Sequence, residues 1–376
     1  MIMKTVLTFL TLLFLFATSK GQMLEGKFQK LIDSIYILNP ESNGIMVHVE
    51  SPDYNVSWSG ASGYSDKSIK KKIEPDQPAL IASCTKTYVS ATILRLVEQK
   101  IIEINLPIKE LISTKTRKLF ESDGYNLDSI TIKHLLSHTS GIEDYANQEY
   151  REYIFNNPKH RWTRDEQIAL AIKVGNPIAN PGEVFRYANV NYLLLTEIIE
   201  KLTNKPFYTS MRELLRYEEL GFNNTWFPTL EEKPKGTKTL VHQYWGEYSS
   251  FIFDVSIDLY GAGGLASTTK DLACFWHKLF NAKIIEDTTV LNLFFTEIQT
   301  NDSIQSNYYL GLMSDEYRGF KAYWHKGSWG NYVLYFPDLN TSISVYILER
   351  DKKILGRDII DQIIGILIYT KEPSDS

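Results

Sequence analysis

A serine becomes a useful nucleophile when a base lies within hydrogen-bond reach, and a helix offers one when Ser and Lys stand three positions apart on one face. Ser83-Cys84-Thr85-Lys86 has that spacing, and so do Ser68 to Lys71 and Ser267 to Lys270. Their surroundings separate them. Ser68 falls among Lys67, Lys70, Lys71 and Lys72, a polar stretch that reads as a solvated loop. Ser267 precedes an apolar helical stripe and reads as its N-cap, with Asp271 in the favoured first turn. Ser83 instead follows the apolar run Ala79-Leu80-Ile81-Ala82 and opens a stripe of Val89, Ile93, Leu96 and Val97. Its hydroxyl would therefore stand at the positive end of a buried helix, a placement that suits an oxyanion. His134 and His138 are four apart, but HLLSH lacks the Glu of the H-E-x-x-H zinc motif, so both read as structural and no metal is expected. The absence of G-x-S-x-G argues against a nucleophile elbow with a Ser-His-Asp triad.

The elements that would hold Ser83 follow from hydrophobic spacing. Residues 28–38 carry apolar side chains at helical intervals and stop at Asn39-Pro40. Residues 44–50 alternate, with Ile45, Val47 and Val49 on one face, and Ser51-Pro52-Asp53 turns the chain into a second extended run through Trp58. Near the other end, residues 321–326, 332–336 and 342–348 read as a three-stranded meander, and 354–369 as a closing helix with Ile359, Ile360, Ile363, Ile364 and Leu367 on its buried face. Between them the pattern is mainly helical, including residues 192–202 and a stripe of Leu272, Phe275, Trp276, Leu279 and Phe280 capped by Ser267 or Thr268. These runs predict an α+β fold. An antiparallel sheet would be formed by N- and C-terminal strands flanked by helices (about 22–82 and 300–376), with a mainly helical inserted part at about 83–299.

At 376 residues the chain has room for two or three structural units, and 43% hydrophobic with 23% charged residues excludes disorder. Forty basic against forty-five acidic side chains, a net charge of −5, leave no footprint for a nucleic acid. The apolar run 6–17 behind Lys4, followed by small and polar residues, reads as a secretory signal peptide over 1–21 that leaves 22–376 as the mature chain. It falls short of the ~20 residues needed to span a bilayer. A secreted or periplasmic protein without a stable membrane span is expected. Cys84 and Cys274 show no metal-ligand spacing and are expected to be two free, buried thiols.

Ile81-Ala82-Ser83-Cys84-Thr85-Lys86-Thr87 resembles the first motif of the serine β-lactamase and penicillin-binding protein superfamily. Class C β-lactamases, D-Ala-D-Ala carboxypeptidases and related esterases carry a Tyr-x-Asn element next, just before a helix. Tyr187-Ala188-Asn189 matches it, ahead of the 192–202 stripe. A second copy, Tyr145-Ala146-Asn147, sits among polar residues without an amphipathic helix after it and reads as a chance match. The third element, Lys-Thr-Gly or His-x-Gly, is matched by His325-Lys326-Gly327 on the first strand of the meander. His134 to Gly141 (HLLSHTSG) and Gly263-Gly264-Leu265-Ala266-Ser267-Thr268 also resemble segments of this superfamily, and the similarity runs from about 40 to 350.

The resemblance implies a β-lactamase/DD-peptidase-like fold and an acyl-enzyme on Ser83, formed without metal or organic cofactor. Lys86 and Tyr187 would share the Ser83 proton and pass it to the leaving group. Asn189 would orient Lys86 and a substrate amide or carbonyl, and the backbone N–H groups of Ser83 and Ser328 would form the oxyanion hole. His325, leaning on Tyr187 or the substrate, and Gly327 would edge the site. Because His325 replaces a permanently charged lysine, the implied substrate is a small molecule or peptide carrying a D-Ala-D-Ala-type amide or an ester, ahead of a β-lactam. The alternative is a non-catalytic, peptidoglycan-binding or penicillin-sensor-like relative. The aromatic residues Tyr244, Trp245, Tyr248, Phe251, Phe253 and Tyr260 fit an acyl or peptide pocket and fit core packing equally well.

Overall fold

The alternation at 44–50 makes a strand with two buried faces: Ile45, Val47 and Val49 on one, Met46 and His48 on the other. The computed structural model describes residues 21–301 and 307–370. In it this strand, β1 (Gly44–Ser51), pairs with β2 (Val56–Asp66), and β2 with the two-residue edge β3 (Lys71–Lys72). The chain returns at its far end as β4 (Met313–Tyr317), β5 (Phe320–Gly327), β6 (Asn331–Phe336) and β7 (Thr341–Ile347). The last of these lies against β1 with Val47 opposite Val345, giving a seven-stranded antiparallel sheet in the order β3-β2-β1-β7-β6-β5-β4. The fold is α+β, with the sheet completed by both ends of the chain.

Each face is covered by helices. On one side α1 (21–38) contributes Leu24, Phe28 and Ile32, and α5 (Leu355–Tyr369) contributes Ile359, Ile360, Ile363, Ile364 and Leu367. Both pack on Ile45, Val47, Val49, Val345 and Ile347. On the other side Met46, Val333, Tyr335 and Tyr346 join a larger core. That core includes α2 (Thr85–Glu98), α3 (Val190–Thr203) and α4 (Thr269–Phe280), with Leu272, Phe275, Trp276 and Leu279 of α4 buried in it and the Phe275 ring stacked on Tyr88 of α2 at 3.6 Å.

Several expectations change. β4 was not foreseen, because Met-Ser-Asp-Glu-Tyr is a half-exposed edge with little apolar alternation. Likewise β2 runs past Trp58 through Gly60 and Gly63, whose missing side chains hide the strand pattern. A Cβ at Gly60 would meet the Trp58 ring at 2.1 Å. The cap of α4 is Thr268, whose hydroxyl accepts the Asp271 N–H at 3.1 Å, while Ser267 pairs with Ala79 in a two-residue bridge. Both cysteines are free; Cys84 is buried, but Cys274 is only half-buried. Residues 68–72 are exposed, but the expected solvated loop gives way at Lys71–Lys72 to the edge strand β3. Residues 1–20 of the expected signal peptide lie outside the described residues, and α1 is already helical at Gly21 and Gln22. Among the described residues no helix is long and apolar enough to cross a membrane.

Candidate active site

Ser83 sits in a single 3₁₀ turn, Ala82–Cys84, that feeds directly into α2. The turn is held on both sides. Ile81 N–H donates to Leu265 O at 2.9 Å, and Leu265 N–H donates to Thr85 Oγ1 at 3.3 Å. The residue before the serine, Ala82, has φ 43°, a left-handed conformation that costs a non-glycine residue roughly 1–3 kcal/mol and persists where packing imposes it. The end of β5 presses on this turn. A Cβ on Gly327 would lie 2.4 Å from Ile81 O, so only glycine allows the approach. Cys84, by contrast, is buried and turns its thiol toward His325 O at 3.8 Å. Ser83 itself is partly accessible, and Ser328, in the exposed turn after β5, follows Gly327 directly.

Lys86, one helical turn on, is fully buried. Its Nζ lies 3.0 Å from Ser83 Oγ, 2.9 Å from Asn189 Oδ1 and 2.5 Å from Ala262 O. Two acceptors that hold no proton, plus one hydroxyl, suit both charge states. As an ammonium, Lys86 donates to all three; as an amine it donates to the two carbonyl oxygens and turns its lone pair to the Ser83 hydroxyl. Burial drives its pKa down to about 8, against the opposing pull of Asp258 and Asp144. Those two carboxyls are themselves pushed up to about 6 by burial, although each keeps some surface open to solvent. Asp144 also grips Asn189 twice, accepting its backbone N–H at 2.9 Å and its side-chain Nδ2–H at 3.0 Å. That double bond to one residue forces Oδ1 of Asn189 toward Lys86.

Tyr187 completes the cluster. Its hydroxyl is hydrogen bonded to Ser83, and burial holds its proton well above the usual phenol range. The Lys86 ammonium stands 4.9 Å over the same ring. His138 supports the segment from behind: its ring lies 4.2 Å from that of Tyr187, and its Nδ1 accepts the Ala188 N–H at 3.2 Å. His134, expected to be structural, pairs with Thr131 in a capping box. His325 is buried and stays neutral, its pKa driven to about 3 first by burial and then by Lys86. Expected to lean on Tyr187 or the substrate, it meets Tyr187 by way of Tyr308. Its Nδ1 faces Lys326 O at 2.9 Å and its Nε2 faces the Tyr308 hydroxyl at 3.4 Å, while the Tyr308 ring packs 5.9 Å from that of Tyr187.

The structure thus brings Ser83, Lys86, Tyr187 and Asn189 into one hydrogen-bonded group, with Gly327 against it and His325 one tyrosine away. The duplicate Tyr145-Ala146-Asn147 does precede a helix, Gln148–Asn156, but Asn147 is spent as its N-cap, accepting Tyr150 N–H at 2.9 Å. Sequence reasoning missed Asp144, Asp258, Tyr308 and the Ala262 carbonyl. Asp144 follows the HLLSHTSG segment by three residues, and Asp258 lies inside the aromatic stretch, so position was the available signal. Of those aromatics, Phe253 lines a narrow cavity together with Trp329, Ala82 and Asp258.

The beta-lactamase family model matches residues 47–353, which takes in every residue of this cluster. The chain belongs to the beta-lactamase family. It is 22% identical over 336 residues to penicillin-binding protein 4* of Bacillus subtilis, covering 82% of this chain and 69% of that protein. It is 32% identical over 173 residues to Protein flp of Staphylococcus aureus, covering 46% of this chain but only 32% of that relative. Among solved structures, D-amino acid amidase from Ochrobactrum anthropi SV3 superimposes with a TM-score of 0.76 at 20% identity, covering 93% of this chain and 99% of the amidase. At that identity the superposition establishes the shared fold.

Proposed function

We propose that the protein is an exported serine hydrolase that forms an acyl-enzyme on Ser83 and hydrolyses an amide or ester, with a D-Ala-D-Ala-type peptide or an ester ahead of a β-lactam. The observation that carries this reading is Lys86 Nζ, 3.0 Å from Ser83 Oγ with its other two directions taken by carbonyl acceptors. In its neutral form Lys86 accepts the Ser83 proton as Oγ attacks the substrate carbonyl. Tyr187, bonded to the same hydroxyl, relays a proton to the departing amine or alcohol. Water then attacks the ester carbonyl with the same pair acting in reverse. Backbone N–H groups of Ser83 and Ser328 receive the oxyanion, an effect commonly worth about 3 kcal/mol per donor. Neutral His325 offers no cation for a substrate carboxylate, which supports placing β-lactams last.

The test is turnover of a p-nitrophenyl ester, a D-amino acid amide, a D-Ala-D-Ala peptide and a chromogenic cephalosporin by wild type and Ser83→Ala. The reading expects at least one substrate to be hydrolysed by wild type alone. Equal rates for the two proteins on every substrate would overturn it.

A further inference from the structure

His48 and Glu50 are two positions apart on β1, so both side chains leave the strand on the face covered by α4. There α4 presents Cys274. Its Sγ lies 3.6 Å from Glu50 Oε2, and His48 Nε2 lies 3.2 Å from that same oxygen. One nitrogen, one oxygen and one sulfur thus lie within 4.8 Å of one another. Around a tetrahedral ion with bonds of about 2.0–2.3 Å, neighbouring donors stand roughly 3.3–3.8 Å apart, so small side-chain rotations suffice to surround one metal.

We propose that His48, Glu50 and Cys274 form a Zn2+ site, separate from the Ser83 cluster, with its fourth position open to solvent. A nitrogen, oxygen and thiolate set suits a borderline-soft ion and not the all-oxygen shells of Ca2+ or Mg2+. Each ligand on β1 already has an outer partner from β2. Ser59, directly across from His48, bonds its Nδ1 at 2.7 Å and leaves Nε2 for the metal; Ser57, across from Glu50, donates to Oε2 at 2.7 Å. Access exists, since the Glu50 side chain is 20% exposed and Cys274 is half-buried. Two further groups on α4 face the cluster. His277, one turn beyond Cys274, has its Nε2 bonded to Asn340 at 3.0 Å, and Lys270 stands one turn before. Binding converts the thiol to a metal-bound thiolate and releases one proton to solvent.

The register separates this site from the serine. Met46 is level with Gly327 across β7 and β6, and Glu50 lies four residues further along β1, about 13 Å away at 3.3 Å per residue. The metal would tie β1 to α4 and take no part in acyl transfer.

The full chain, stripped by chelator, is titrated with Co2+ and then Zn2+. One equivalent of Co2+ should produce a thiolate-to-metal charge-transfer band that Zn2+ abolishes, and Zn2+ should raise the unfolding temperature and protect Cys274 from alkylation. Cys274→Ser should remove the band, and His48→Gln should weaken binding tenfold or more. Cooperative unfolding of each variant certifies that it is folded. No band and no protection in the wild type, or Zn2+ affinity equal in wild type and both folded variants, would overturn the proposal; the wild-type readings decide it even where a variant does not fold.

Discussion

Lys86 Nζ meets two carbonyl oxygens and one hydroxyl, and the charge state it adopts there sets the reactivity of Ser83. With its pKa lowered to about 8, it is mostly protonated at neutral pH, and the active amine grows as pH rises. The rate kcat/KM on an ester should therefore climb with pH and reach half its plateau near 8, measured as a pH profile over pH 6 to 10. A flat profile would remove Lys86 as the base. Tyr187→Phe keeps the ring that packs on His138 but deletes the hydroxyl bonded to Ser83. It should lower acylation by about 10²–10⁴-fold with little change in unfolding temperature. Ser83 and Lys86 were legible from their spacing together with the apolar run before them, and Tyr187 and Asn189 from the resemblance of Tyr187-Ala188-Asn189 to a family motif. Asp144 and Asp258 were not, because an acid in a loop signals nothing until the fold buries it against an amine.

At the scale of elements, the site depends on segments that hold one another in place. Asp144 belongs to the loop ahead of the helix Gln148–Asn156 and fixes Asn189 at the start of α3 through two bonds. Asp144→Asn exchanges one acceptor for a donor facing Asn189 Nδ2, so Asn189 turns and Lys86 loses its alignment. Turnover should fall by up to roughly 100-fold. The acid that favours the ammonium is also gone, so the pH limb should move below 8. A limb that stays in place or moves upward would count against this account. Gly327→Ala tests the contact of β5 with the nucleophile turn. Its Cβ would meet Ile81 O at 2.4 Å, so the strand must retreat from Ser83. Stability should drop by about 1–3 kcal/mol, with a larger loss of activity than any other alanine substitution in β5. The glycine was visible in the triplet His325-Lys326-Gly327; the reason for it, a backbone pressed against another backbone, is a tertiary fact.

Across the whole molecule, one sheet separates two cores, and only one of them carries the serine. Ile363 on α5 is fully buried in the core that contains α1, while α2, α3 and α4 share the other. Ile363→Ala should cost about 2–5 kcal/mol in a urea unfolding experiment and leave kcat/KM of the folded protein within about twofold. The layer arrangement was readable because β1, β6, β7 and α5 are two-sided or strongly striped. The edge strands β3 and β4 escaped because solvent, not packing, faces much of them. The central claim is that one alcohol in this fold is made reactive by its buried amine. Intact-mass analysis after exposure to a fluorophosphonate, with the adduct mapped by peptide, tests it most directly. The account predicts a single adduct on Ser83 that Lys86→Ala slows by about 10²-fold or more. An adduct on any other residue, or equal labelling of Ser83 with and without Lys86, would contradict it.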